Sequence, residues 1–245
     1  MAAIPTGYTH RWLPLESNPD VFTSLAHTLG LSTSMIFQDV FSLDPDALSF
    51  LPRPVYALVL VFPTGDKYEE TVAASEAVTA KTDVEDIMWF KQTIHNACGF
   101  YGLLHALCNG DARKSLLPNS LLSNIVARYP TTSPTEQPSL LASPELEREY
   151  HTVATKGDSI VPALEDEVDF HYTCFVKSDG RLWELNGDLD GPVDKGALGE
   201  DDDIVSDTAV GHVRQFMQAN GGDGIGFSML ALTSDPDALD ANSGP

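Results

Sequence analysis

Basic residues are scarce in this chain of 245 residues: 14 Lys and Arg stand against 36 Asp and Glu, a formal net charge of −22. Such a balance repels nucleic acid and anionic membranes and attracts basic protein partners. Cysteine is scarce too, with three residues. The odd number argues against a disulfide framework and for reduced thiols, so the expected compartment is the cytoplasm, with the nucleus second. Long apolar runs are missing. The longest, 55–62, has the length of a strand and falls well short of a membrane span. No basic region followed by an apolar stretch marks the N-terminus, so no export signal is expected. Neither repeats nor a domain linker divide the chain. The expectation is one domain over residues 1–234, then an acidic, disordered tail over 235–245.

What is present reads as alternating helices and strands. Asn18 and Pro19 form a helix start, Val21, Phe22, Leu25 and Leu29 its apolar face, and Gly30 its end. Residues 34–40 read as a strand, Asp44 and Pro45 start a short helix, and 55–62 is a strand buried on both faces. Residues 66–86 read as a helix and then a loop, 116–128 as an amphipathic helix, and Ser143 opens another helix to about His151. Residues 152–169 lack periodicity and read as a long surface loop. Residues 170–176 and 182–185 form a hairpin about Asp179 and Gly180. Residues 198–205 read as an acidic linker, 207–218 as a helix and 227–232 as a last strand. The pattern indicates a layered α/β fold with a mostly antiparallel sheet.

One cysteine sits where a helix begins. Asn96 suits an N-cap, and Phe100, Leu103, Leu104 and Leu107 recur at helical spacing after Cys98. A thiol at a helix N-terminus feels the positive end of the macrodipole, which favours the thiolate that a nucleophile requires. Gly99 and Gly102 in the first turns imply close approach of another chain segment or a substrate. The competing reading is a small buried hydrophobe, which is what Cys108 and Cys174 are expected to be, each lying in an apolar run.

A nucleophilic thiol needs a base and a group that orients the base. Of the seven histidines, His105 lies about 10 Å along the same helix, too far to touch Cys98. Nothing nearby orients His95, and His10, His27, His151 and His212 have surface-type neighbours. His171 opens the first hairpin strand. With a two-residue turn, Ser178 pairs with Arg181 and Asn186 with Thr173. Asn186 then shares a face with His171, on the diagonal, and Asp188 lies directly opposite it. Either residue can orient the ring.

Four blocks in order resemble the small ubiquitin carboxyl-terminal hydrolases, papain-like cysteine peptidases. They are 12–19 (WLPLESNP), 91–99 with 102–106 (KQTIHNACG, GLLHA), 170–171 (FH) and 182–187 (LWELNG). The resemblance implies a layered α/β/α, papain-like domain with a knotted backbone. It implies Cys98 as nucleophile, His171 as base and acid, and Gln92 as a side-chain donor to the oxyanion beside the Cys98 backbone N–H. It aligns Asn186 with the family's orienting Asp, a departure that keeps the hydrogen bond to the ring and gives up the charge. It places a crossover loop over the site at 152–169. Ubiquitin contacts fall in the N-terminal segment (Pro14, Leu15, Glu16), near Asp39, and in the turn before the last strand (Ile225, Phe227).

The expected activity is thiol-dependent hydrolysis of small adducts or flexible peptides from the C-terminal glycine of ubiquitin or a relative, by a monomer without metal or cofactor. The alternative is a ubiquitin-binding module whose turnover Asn186 has weakened. A transglutaminase-type Cys–His enzyme is disfavoured by the Gln92-to-Cys98 spacing and the Trp12 segment.

Overall fold

Strand 57–63 shows why the molecule is layered. Every second residue of its run ALVLVFP points to one face, and both faces are apolar. Ala57, Val59 and Val61 enter one buried cluster, and Leu58, Leu60 and Phe62 another. Such a strand is stable only with helices on both sides, and each fully buried Leu or Phe contributes about 1.5–3 kcal/mol.

The computed structural model describes residues 7–75, 86–157, 169–221 and 226–241. In chain order they form β1 (His10–Arg11), α1 (Pro19–Leu29), β2 (Met35–Asp39), α2 (Pro45–Leu48), β3 (Ala57–Pro63), α3 (Asp66–Ser75), β4 (Ile94–His95) and α4 (Cys98–Cys108). There follow α5 (Leu121–Arg128), α6 (Pro144–Ala154), β5 (Phe170–Ser178), β6 (Arg181–Asn186), β7 (Val193–Ala197), α7 (Asp207–Ala219), β8 (Ser228–Ser234) and α8 (Pro236–Ala241). A six-stranded sheet runs β2-β8-β3-β5-β6-β7 with every neighbour antiparallel, and β1 pairs parallel with β4 beside it. Helices α1, α4, α5 and α6 pack on one face of the six-stranded sheet, and α2, α3 and α7 on the other. This is the expected α/β/α layering.

Capping accounts for much of the local structure. Asn18 Oδ1 accepts from the N–H groups of Asp20 and Val21, and Gly30 ends α1 at φ 114°. Ser143 caps α6 in the same way. The β5–β6 turn has Asp179 at φ 49° and Gly180 at φ 66°, a two-residue turn with both centres left-handed. It sets Ser178 opposite Arg181 and Thr173 opposite Asn186, the register expected from the sequence.

Several expectations need correction. Ala97, not Asn96, precedes α4, at φ −97° with no side-chain cap, while Asn96 is in the left-handed region at φ 61°. Helix α5 starts at Leu121, after Pro118, which cannot donate within a helix. The segment 198–205 is packed at both ends, with 199–201 exposed: Leu198, Ile204 and Val205 are buried, and the Asp203 carboxylate holds the Arg53 guanidinium and the Val55 N–H. The tail carries α8, for which Asp235 accepts from the Asp237 N–H. Thr152 to Ala154 belong to α6, and most of the expected loop, 158–168, lies outside the described residues.

Candidate active site

Helix α4 is buried along its whole length, and its glycines explain how closely it lies on the sheet. A Cβ at Gly99 would meet Leu15 Cβ at 2.9 Å and the Tyr172 ring at 3.4 Å, and one at Gly102 would meet Val59 at 3.3 Å. The neighbours that require glycine are therefore β3, β5 and the N-terminal segment. The helix delivers Cys98, its first residue, to the wall of a cavity of about 570 Å³. Gln92, Asn96, His171 and Asp188 also line this cavity.

The far end of α4 holds the extended segment that carries Gln92. His105 Nε2 accepts from the Phe90 N–H at 3.0 Å, and Asn109 exchanges two hydrogen bonds with Met88. The 88–92 segment is in turn tied to the chain after β6. Trp89 Nε1 donates to Asn186 O, the Gln92 N–H donates to Gly187 O at 2.9 Å, and Lys91 Nζ donates to Asp188 O, Leu189 O and Asp190 Oδ1. Helix α4, the Gln92 segment and residues 186–190 thus form one hydrogen-bonded unit. Burial pushes the His105 pKa down to about 3, so this staple stays neutral.

His171 is the second residue of β5, paired with Phe62, with its ring between the Phe62 and Tyr68 rings at 5.8 and 5.6 Å. Asn186 Oδ1 accepts from the Asp188 backbone N–H at 2.9 Å, which identifies that atom as the amide oxygen. The 2.8 Å bond between Asn186 Oδ1 and His171 Nε2 therefore requires a proton on Nε2. In the neutral ring this leaves Nδ1 with the lone pair, the form a general base needs. Asp188 Oδ2 stands 3.4 Å from Nδ1. The two residues that the sequence offered as rivals both reach the ring, one at each nitrogen. Among the described residues, Cys98 Sγ makes no hydrogen bond to His171.

The helix-dipole expectation for Cys98 is overturned. Its thiol pKa is pushed up to about 12, first by burial and second by the Asp188 charge, against the pull of the Gly99, Cys98 and Tyr172 backbone N–H groups. Desolvation of a buried thiolate outweighs the first-turn N–H groups. Cys108 is also raised to about 12 and Cys174 is raised as well, both by burial, in line with their expected inertness.

Of the expected substrate contacts, Pro14, Leu15 and Phe227 line the cavity. Asp39 lines a neighbouring cavity of about 590 Å³ that shares Phe227 and Ser228 with the first. Glu16 lines neither, its carboxylate lying against Gly157, and Ile225 is outside the described residues. Sequence reasoning missed Tyr68, whose hydroxyl touches both Asn186 and Asp188. Its signal was the single aromatic residue in the polar first turns of α3.

Comparison with known proteins gives consistent results. The family model described as ubiquitin carboxyl-terminal hydrolase, family 1, matches residues 12–218. Ubiquitin carboxyl-terminal hydrolase YUH1 of Saccharomyces cerevisiae is 35% identical over 93% of this chain and 98% of its own length. Ubiquitin carboxyl-terminal hydrolase 3 of Arabidopsis thaliana is 33% identical over 91% and 94%. The fold resembles the Trichinella spiralis UCH37 catalytic domain, solved bound to ubiquitin vinyl methyl ester, with TM-score 0.73 and 22% identity over 91% of this chain and 95% of that one. The chain belongs to ubiquitin carboxyl-terminal hydrolase family 1 and is a cysteine-type deubiquitinating enzyme.

Proposed function

We propose that this enzyme cleaves small adducts and flexible peptides from the C-terminal glycine of ubiquitin through a Cys98 thioester. The observation that carries the reading is the convergence of Cys98, Gln92 and a His171 ring with its proton fixed on Nε2 in one cavity.

His171 Nδ1 takes the Cys98 proton as sulfur attacks the scissile carbonyl. Gln92 and the Cys98 backbone N–H, at the start of α4, hold the developing oxyanion. The imidazolium returns its proton to the leaving amine, and water then hydrolyses the thioester by the same route. Burial and the Asp188 charge raise the free thiol, which favours transfer of its proton during attack. Asn186 keeps the ring in the tautomer this cycle needs. A pure binding module has no use for such an arrangement.

Pro14, Leu15 and Phe227 wall the path to Cys98 and are the proposed contacts to the ubiquitin tail. The net charge of −22 favours a basic partner and fast association, screened beyond a Debye length of about 8 Å at physiological ionic strength. The protein acts as a monomer. The test is hydrolysis of ubiquitin bearing a C-terminal fluorogenic amide beside a ubiquitin binding titration. Turnover that Cys98→Ala abolishes, with affinity kept, supports the reading, and binding without turnover in the unmodified enzyme contradicts it.

A further inference from the structure

Asn186 leaves the base without a charged partner at Nε2, and a buried imidazolium needs one. The carboxylate nearest the ring is on its other side. Asp188 Oδ2 lies 3.4 Å from Nδ1 and accepts from the Tyr68 hydroxyl at 3.1 Å. Tyr68 Oη in turn accepts from Asn186 Nδ2 at 3.1 Å. The backbone of this turn is fixed as well, because the Asp188 N–H donates to Asn186 Oδ1 and Asp188 O takes Lys91 Nζ.

We propose that Asp188, steered by the Tyr68 hydroxyl, is a positioning residue that supplies at Nδ1 of His171 the negative charge that Asn186 lacks at Nε2. The proposal rests on the assignment of Cys98 and His171 as nucleophile and base.

The geometry suits this role. A charge-assisted N–H···O bond is about 2.7–2.9 Å long, so at 3.4 Å Asp188 does not occupy Nδ1. The nitrogen stays open to the Cys98 proton. Once the proton arrives, the cation forms beside a carboxylate already in place, and attraction replaces the repulsion between two lone pairs. The same charge opposes the thiolate, since Asp188 is the second cause of the raised Cys98 thiol. The other ionisable groups that feel Cys98 are Tyr8 from the N-terminal segment, Tyr150 from α6 and Tyr172 from β5. All three phenols are raised and neutral. Asp188 thus lowers the cost of the imidazolium and raises that of the free thiolate. Nothing else described at the site separates these two effects.

That separation defines the experiment. The unmodified enzyme, Asp188→Asn, Tyr68→Phe and the exchange Asn186→Asp/Asp188→Asn are compared on ubiquitin with a C-terminal fluorogenic amide, and Cys98 alkylation by iodoacetamide is followed against pH. Asp188→Asn is expected to lower kcat about 10-fold with KM within about twofold, the loss of one charged contact. Its Cys98 alkylation should nevertheless begin at lower pH, a shift that general damage to packing does not produce. Tyr68→Phe should lower kcat about threefold in the same direction. The exchange, which restores the charge at Nε2, should turn over faster than Asp188→Asn alone. Wild-type kcat in Asp188→Asn, a loss confined to KM, or an exchange no better than the single variant overturns the proposal. Cys98→Ala runs alongside. If it is inactive while Asp188→Asn is unaffected, only the Asp188 role fails; if it retains turnover, the underlying assignment fails.

Discussion

Cys98 and Cys108 occupy the two ends of one helix, and by burial and thiol pKa they are alike: both are buried and both are raised to about 12. Their surroundings differ. Burial is the one effect that raises Cys108, and it does not line the cavity that Cys98 lines. Cys98 lines a cavity of about 570 Å³ with Gln92, His171 and Asp188, and three backbone N–H groups offset part of its desolvation. On the proposed reading, Cys98 is set apart by the groups that line its cavity and not by a resting thiol that is easily ionised.

The sharpest way to break the comparison is to delete each sulfur. Cys98→Ala should lower hydrolysis of the fluorogenic ubiquitin amide by at least about 1,000-fold, as loss of a nucleophile does in acyl-transfer enzymes. Ubiquitin affinity by titration should stay near that of the unmodified enzyme. Gln92→Ala comes next, with turnover falling about 100- to 1,000-fold and binding little changed. An effect on affinity alone would make Gln92 a substrate contact. Asn186→Ala removes the acceptor that fixes the His171 proton and should lower kcat about 10-fold or more; wild-type turnover would end that assignment. At the small end, Cys108→Ser should leave kcat unchanged and cost about 1–2 kcal/mol in urea unfolding, because a hydroxyl replaces a thiol in a dry helix.

The pH behaviour extends the comparison. A thiol whose pKa is raised stays protonated at neutral pH, so the thiolate fraction of Cys98 grows as pH rises towards about 12. Alkylation of Cys98 by iodoacetamide in the free enzyme should therefore climb steadily from pH 7 to about 10 without a plateau. A plateau below about pH 7 would show a preformed thiolate and contradict the burial argument.

Much of this was legible in the sequence because it depends on local rules. The two-residue turn at Asp179 and Gly180 set the β5–β6 register, and with it the pairing of Thr173 with Asn186. Asn18, Pro19 and Gly30 marked α1 at both ends. Strand β7 was not legible, because its sequence VDKGA has little apolar character. It is an edge strand, and charge on an edge is what keeps it from pairing further. Asn96 looked like a cap because side-chain chemistry is visible in sequence and a left-handed φ is not. Tyr68 was missed because its partners lie 118 and 120 residues away. The dipole argument for Cys98 was sound in sign and lost to a desolvation that only the packed structure reveals.

The central claim is that Cys98 alone among three buried cysteines performs the chemistry, and an electrophilic substrate tests it most directly. The enzyme is incubated with ubiquitin vinyl methyl ester and the modified peptide is identified by mass spectrometry. The account predicts one ubiquitin per chain, attached at Cys98, and no adduct in Cys98→Ala. An adduct on Cys108 or Cys174, or no adduct with the unmodified enzyme, would contradict it.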